Sequence, residues 1–170
     1  MTYVNDLSNS LNQIRIVTGQ TEEQVNKLAT SYNSLAKLMS VSTKDIASTA
    51  VDLYRQGLQG IDVDERMEAI IKYAKISSLS LADSNKIITA TMNATGESAQ
   101  KVIDIFSYLG DATASGADEI GTAMQKVASM NDGIGVSMAK AASWIAVISS
   151  KTREGASQIG TSLNFEALIA

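Results

Sequence analysis

Residues 21–39 read Thr-Glu-Glu-Gln-Val-Asn-Lys-Leu-Ala-Thr-Ser-Tyr-Asn-Ser-Leu-Ala-Lys-Leu-Met. Val25, Leu28, Tyr32, Leu35 and Met39 recur there at alternating steps of three and four. That spacing places the apolar side chains along one face of a helix, in the seam pattern of bundles and coiled coils. Thr21 stands just ahead, followed by Glu22, Glu23 and Gln24. A hydroxyl there can accept from a free helical N–H, and acids suit the positive end of the helix dipole. This stretch predicts the longest helix of the chain and sets the class as all-α.

The same period recurs on both sides of it. Val4, Leu7, Leu11 and Ile14 form a stripe upstream. Downstream come Ile46, Ala50 and Leu53, then Val63, Met67, Ile70 and Ala74, with Ile71 widening the face. Val102, Ile105, Phe106 and Leu109 follow, then Ile120, Met124 and Val127, and last Met138, Ala141, Ile145 and Ile148. No segment alternates with period two, so no strand is expected. Further helix starts are read at Ser42, Ser80 and Ser115, each three residues before an Asp, and at Asp62, three before Glu65. Stops are read at Gly19, Gly57, Gly60 and Gly110, with further breaks at Gly96, Gly116, Gly133, Gly135 and Gly155. The expectation is eight or nine short helices packed as hairpins in a single helical domain over residues 1–170.

Composition narrows what such a bundle can do. Of 170 residues, 45% are apolar but only 5% aromatic, so the core is aliphatic and Ala-rich. There is no Cys, which excludes disulfides and thiolate metal sites. There is no His, the commonest general base and metal ligand, and no Pro to interrupt a helix. A net charge of −4 with singly scattered Lys and Arg opposes direct nucleic-acid binding. No apolar run approaches a membrane span. No cofactor is expected.

Asp62, Asp64 and Glu65 cluster, as do Asp118 and Glu119, but both groups sit at predicted helix starts and read as dipole-favoured caps. Gly133-Ile134-Gly135 lacks the preceding strand and third glycine of a phosphate loop. Asp62 to Glu65 lacks the twelve-residue calcium loop. Trp144, beside the Ile145/Ile148 stripe and between Lys140 and Lys151, reads as an edge-of-core residue or a partner anchor. Met124, Met130 and Met138 read as core filling. No catalytic or metal-binding residue is assigned, and the chain is expected not to be an enzyme.

Several short features together resemble the conserved core region of phage tail tape-measure proteins. Val41-Ser42-Thr43-Lys44-Asp45-Ile46 leads into a helix ending Arg55-Gln56-Gly57. Asn93-Ala94-Thr95-Gly96 is read as starting a helix that runs to Asp111-Ala112, followed by an acid- and Ala-containing helix over 116–127. Gly135-Val136-Ser137 matches a recurring helix start, and Gly155 followed by Gly160-Thr161-Ser162-Leu163 matches the family's ending. The resemblance runs from about Val41 to Leu163. It departs at Asn164, where the family often has a basic residue.

The resemblance implies a segment of a longer chain, part of a phage or prophage tail, that contributes to tail assembly and length. Implied partners are tail-tube proteins, tail assembly chaperones and other tape-measure copies, including a homo-oligomer. It implies residence in the virion tail, or in the host cytoplasm during assembly. Fully helical, 170 residues span roughly 250 Å. Turns such as Ala94-Thr95-Gly96 or Ala114-Ser115-Gly116 are candidate points for straightening. The residues alone leave other classes open: an adaptor or secreted helical-hairpin module with no phage role, a piece of a cell-wall hydrolase, or a membrane-active protein.

Overall fold

The computed structural model of the chain describes residues 2–113, 115–127, 137–152 and 154–167. Among these residues it contains nine α-helices and no strand. They are α1 (Thr2–Thr18), α2 (Glu22–Met39), α3 (Thr43–Arg55), α4 (Ile61–Ser77), α5 (Leu81–Thr95), α6 (Ala99–Ala112), α7 (Ala117–Val127), α8 (Met138–Thr152) and α9 (Ala156–Ala167). Among the described residues the all-α expectation is met, and nine helices fall within the expected eight or nine. The chain divides into two compact units, Met1–Ile71 and Lys72–Ala170, with the division inside α4.

In the first unit α3 is the central element, packed most extensively by α1 and also by α2. Its buried face is broad and mostly small: Ile46, Ala47, Thr49, Ala50, Val51 and Leu53, with Tyr54 beside them. The flanking helices bury less. Ile14 is the fully enclosed residue of α1, whereas Val4, Ile16 and Val17 stay exposed. In α2 the seam contributes Val25, Tyr32 and Ala36 to the core, with Leu28, Leu35 and Met39 half-buried. Buried Tyr32 has the Tyr54 hydroxyl as its polar neighbour, but outside hydrogen-bond geometry. Two polar ties span α1 and α3: Lys44 to Asp6 at 2.8 Å and Arg55 to Gln13 at 3.0 Å. Both are solvent-accessible and each adds little.

Caps explain most boundaries. Thr21 makes a full capping box: its Oγ1 accepts from the Gln24 N–H at 3.3 Å, and Gln24 Oε1 accepts from the Thr21 N–H at 2.8 Å. Ser80 accepts from the Asp83 N–H at 3.1 Å and donates to Asp83 Oδ2 at 2.8 Å. That bond, then Lys86, holds the Asp83 carboxyl below its usual range. Ser42 sits at the start of α3 but makes no side-chain cap bond.

Other boundaries depart from the sequence reading. Gly60 and Gly116, not Asp62 and Ser115, accept the first backbone bonds of α4 and α7. Ser115 is instead buried with its hydroxyl unpartnered. Residues 93–95 are the last turn of α5 rather than the start of a helix. Gly96, at φ +69°, closes that turn, and Ser98 caps α6. Gly110 lies within α6 and is not a stop.

Two left-handed positions are held by serine: Ser40 at φ +52° after α2 and Ser78 at φ +57° after α4. A Cβ there costs on the order of 1 kcal/mol, and glycine is the usual occupant. By contrast Gly57, at φ +87°, ends α3 with both bonds of a Schellman motif: Gly57 N–H to Tyr54 at 3.0 Å and Leu58 N–H to Leu53 at 3.2 Å.

The capping geometry sets two outcomes apart. Thr21→Ala is expected to lower stability by about 1 kcal/mol, read from urea midpoints. Ser42→Ala, which removes no cap bond, is expected to change it by less than about 0.5 kcal/mol.

Candidate functional site

The second unit is assembled on α7, whose buried face interleaves three small residues with three larger ones. Ala117, Ile120, Gly121, Ala123, Met124 and Val127 are all buried. Helices α5, α6, α8 and α9 pack on it, α9 most extensively. Three glycines set how near the neighbours come. At Gly121 a side chain would overlap the Tyr73 hydroxyl and come within 3.0 Å of Ile87 on α5. At Gly110 it would come within 3.1 Å of the Ala117 backbone nitrogen. At Gly160 it would come within 2.7 Å of the Ala123 carbonyl oxygen and 3.0 Å of its Cα. The last is backbone against backbone, which cannot move aside as a side-chain tip can.

Tyr73 occupies the notch that Gly121 leaves open. Its hydroxyl donates to the Ala117 carbonyl at 2.9 Å, and its ring lies tilted against Phe106 with centroids 5.7 Å apart. Both rings are fully buried. Burial first, then the nearby Asp118 carboxylate, pushes the Tyr73 hydroxyl well above the ordinary tyrosine range.

The motif read at the chain's end lies on this seam. Gly155 is exposed, a side chain there would meet nothing within 4 Å, and its carbonyl accepts the first N–H bonds of α9 from Gln158 and Ile159. Ile159 and Gly160 are buried, and Gly160 lies against the Ala123 backbone of α7. Thr161 is exposed and accepts from Lys126 Nζ at 3.3 Å. Ser162 bonds back to the Gln158 carbonyl within the helix, and Leu163 is half-buried. The segment is therefore a helix interior that packs through one glycine, and no turn occurs in it.

The other sequence candidates are placed apart from it. Gly57 lies in the first unit as the Schellman glycine of α3. Gly135, with Gly133 and Met130, lies outside the described residues. Met124 and Met138 are core residues, as expected. Trp144 on α8 is 43% exposed, with Lys140 Nζ 5.3 Å above its ring. A groove of about 290 Å³ runs between α6 and α8, floored by Ile105, Leu109 and Ala139 and walled by Tyr108. Sequence reading missed Tyr73 and Gly121. The signal available was a lone glycine inside an otherwise regular helical stripe, which marks a close approach.

The acidic pairs stay on the surface at helix starts, with Asp62, Asp64, Glu65 and Glu119 exposed. Among the described residues no group of three or more His, Cys, Asp or Glu side chains is placed to hold a metal. Among them, too, no helix is long and apolar enough to cross a membrane.

An all-helical chain, packed through glycine and bearing the Gly160–Leu163 segment on that packing, is matched by one family over most of its length. The family is described as phage-related minor tail protein, and the match covers residues 22–165. The chain belongs to this family. It is also similar to the tape measure protein of Pneumococcus phage Dp-1, at 24% identity over 162 residues. That alignment covers 94% of this chain but 14% of the relative, so the chain spans about one seventh of that protein's length. No solved structure matches. The family places the chain in the phage tail.

Substitution at the two α9 glycines separates packing from backbone effects. Gly160→Ala is expected to destabilise the second unit by about 1–3 kcal/mol through overpacking, despite the better helix former. Gly155→Ala, in open space, is expected to be within about 0.5 kcal/mol of wild type by urea titration. Tyr73 adds a pH signature. Its folded-state pKa lies above the unfolded value, so its contribution is intact below about pH 10 and is lost as pH rises beyond. Tyr73→Phe is expected to cost about 1 kcal/mol near neutrality and to flatten the alkaline fall in melting temperature.

Proposed function

We propose that this chain is a structural segment of a tail tape-measure protein and contributes to tail-length determination and tail assembly through helix-mediated contacts. The observation that carries the reading is the pairing of the two matches. The minor tail family covers residues 22–165, and a relative with the tape-measure name aligns along nearly the whole chain. The structural role in the phage tail follows from the family; the ruler role is the proposal.

In this reading the segment is not catalytic. Its partners are tail-tube proteins, assembly chaperones and further tape-measure copies, met through helix faces such as the Trp144 edge of α8. Assembly takes place in the host cytoplasm and the product resides in the virion tail. A chain that lies along a tube measures it by residue number, because each helical residue adds a fixed rise of about 1.5 Å.

In-frame duplication of residues 1–170 in the phage, with tails measured by electron microscopy, tests this. Tails are expected to lengthen by one discrete increment of no more than about 250 Å. Assembled tails of unchanged length would defeat the ruler role, while loss of all tails would assign the segment to assembly alone.

A further inference from the structure

Five turns separate the first six helices, and they alternate in kind. Gly19 ends α1, Gly57 and Gly60 shape the turn after α3, and Gly96 ends α5, all at positive φ. The turns after α2 and α4 hold Ser40 and Ser78 in that position and contain no glycine. Each consists of three residues, Ser40-Val41-Ser42 and Ser78-Leu79-Ser80.

A sevenfold apolar count also runs through these two turns, as it does through the glycine turns. Counting in sevens across Ser40 gives Val25, Tyr32, Met39, Ile46 and Leu53, with no slip of phase. The same count crosses Ser78 as Met67, Ala74, Leu81 and Ile88. The two runs share one phase through Gly60, and that phase also holds from Leu11 to Val25 across the Gly19 turn and from Ile88 to Val102 across the Gly96 turn. Turns inserted without regard to phase would rotate each following stripe to another helix face. Here the apolar seam keeps phase through all five turns, so phase permits straightening at each, and the serine-for-glycine difference at positive φ is what selects two of them.

We propose that the Ser40 and Ser78 turns are hinges that straighten when the helices leave their present neighbours. α2 and α3 then become one helix over residues 22–55, and α4 and α5 one over 61–95, while the glycine turns persist as breaks. The merged helices are about 51 and 53 Å long. Straightening moves the serine out of the left-handed region, where its Cβ is strained, into a helix that tolerates it. It also gives the turn's backbone groups regular helical bonds. Glycine reverses both terms, being at ease in the left-handed region and poor inside a helix.

Burial of Ile46 and Leu53 opposes opening in the folded unit, so an opened seam needs cover from another helix. The two hinges differ in resistance. Ser80 caps α5 through Asp83, whereas Ser42 makes no cap bond, so the Ser40 hinge opens first. Of the straightening points expected from sequence, Gly96 belongs with the breaks, and Ala114 lies outside the described residues. The hinges are a property of this chain whether or not it sets tail length.

The absence of Cys permits site-specific spin labelling of introduced pairs. Asn26→Cys with Ser48→Cys brackets the Ser40 turn, and Ser48→Cys with Glu65→Cys brackets the glycine turn, all at exposed positions. Distances are measured by pulsed electron resonance in buffer and in fluoroalcohol, which keeps helices while dissolving tertiary packing. In fluoroalcohol the first pair is expected to gather into a narrow population at about 33 Å, the span of 22 helical residues. The second pair is expected to show no such population at its own straight-helix value of about 26 Å. Ser40→Gly is expected to abolish the 33 Å population. A first pair that stays bent, a second pair that straightens equally, or an unaffected Ser40→Gly protein would each overturn the proposal.

Discussion

The close approach of backbones along α7 is the constraint on which the second unit depends. Gly121, Gly110 and Gly160 let Tyr73, the α6 end and α9 reach distances at which a methyl group would collide. A chain with few aromatics gains limited area per buried side chain, so it must gain contact by bringing whole helices nearer. Tyr73 is the large residue that fills the space so created. Its hydroxyl must be satisfied once buried, and the Ala117 carbonyl at 2.9 Å satisfies it.

The first unit meets the same shortage differently. α3 offers alanines and β-branched residues on a broad face, and α1 and α2 lie on it with narrower ones. Charge contributes little, since the ion pairs that tie helices or stabilise turns are solvent-accessible. Cohesion therefore rests on aliphatic packing and on the end caps of individual helices. A helix bound mainly by packing can exchange one apolar cover for another without breaking buried polar bonds.

Much of the candidate site was legible in part. Gly160–Leu163 was picked out by resemblance, yet why glycine stands there follows only from the Ala123 backbone lying across it. Gly155, picked out with it, faces open space and serves the start of α9. Trp144 was open between two readings; the structure leaves it 43% exposed under Lys140. Tyr73 was passed over because a tyrosine flanking an apolar stripe looks like any core edge. Its role depends on a glycine 48 residues later in the chain.

The sequence by itself determined the class, the approximate number of helices among the described residues and the starts of α2, α3 and α5. Period 3.6 and N-terminal caps are local properties, settled within a turn or two of chain. It did not determine which glycines end helices and which admit neighbours. Gly96 and Gly110 look alike in sequence, yet one closes α5 in the left-handed region and the other lies inside α6 against Ala117. Nor did it determine that Gly116 rather than Ser115 starts α7, because burial of Ser115 overrides its capping preference. Those outcomes depend on what another helix places nearby, and that is decided only when the helices pack.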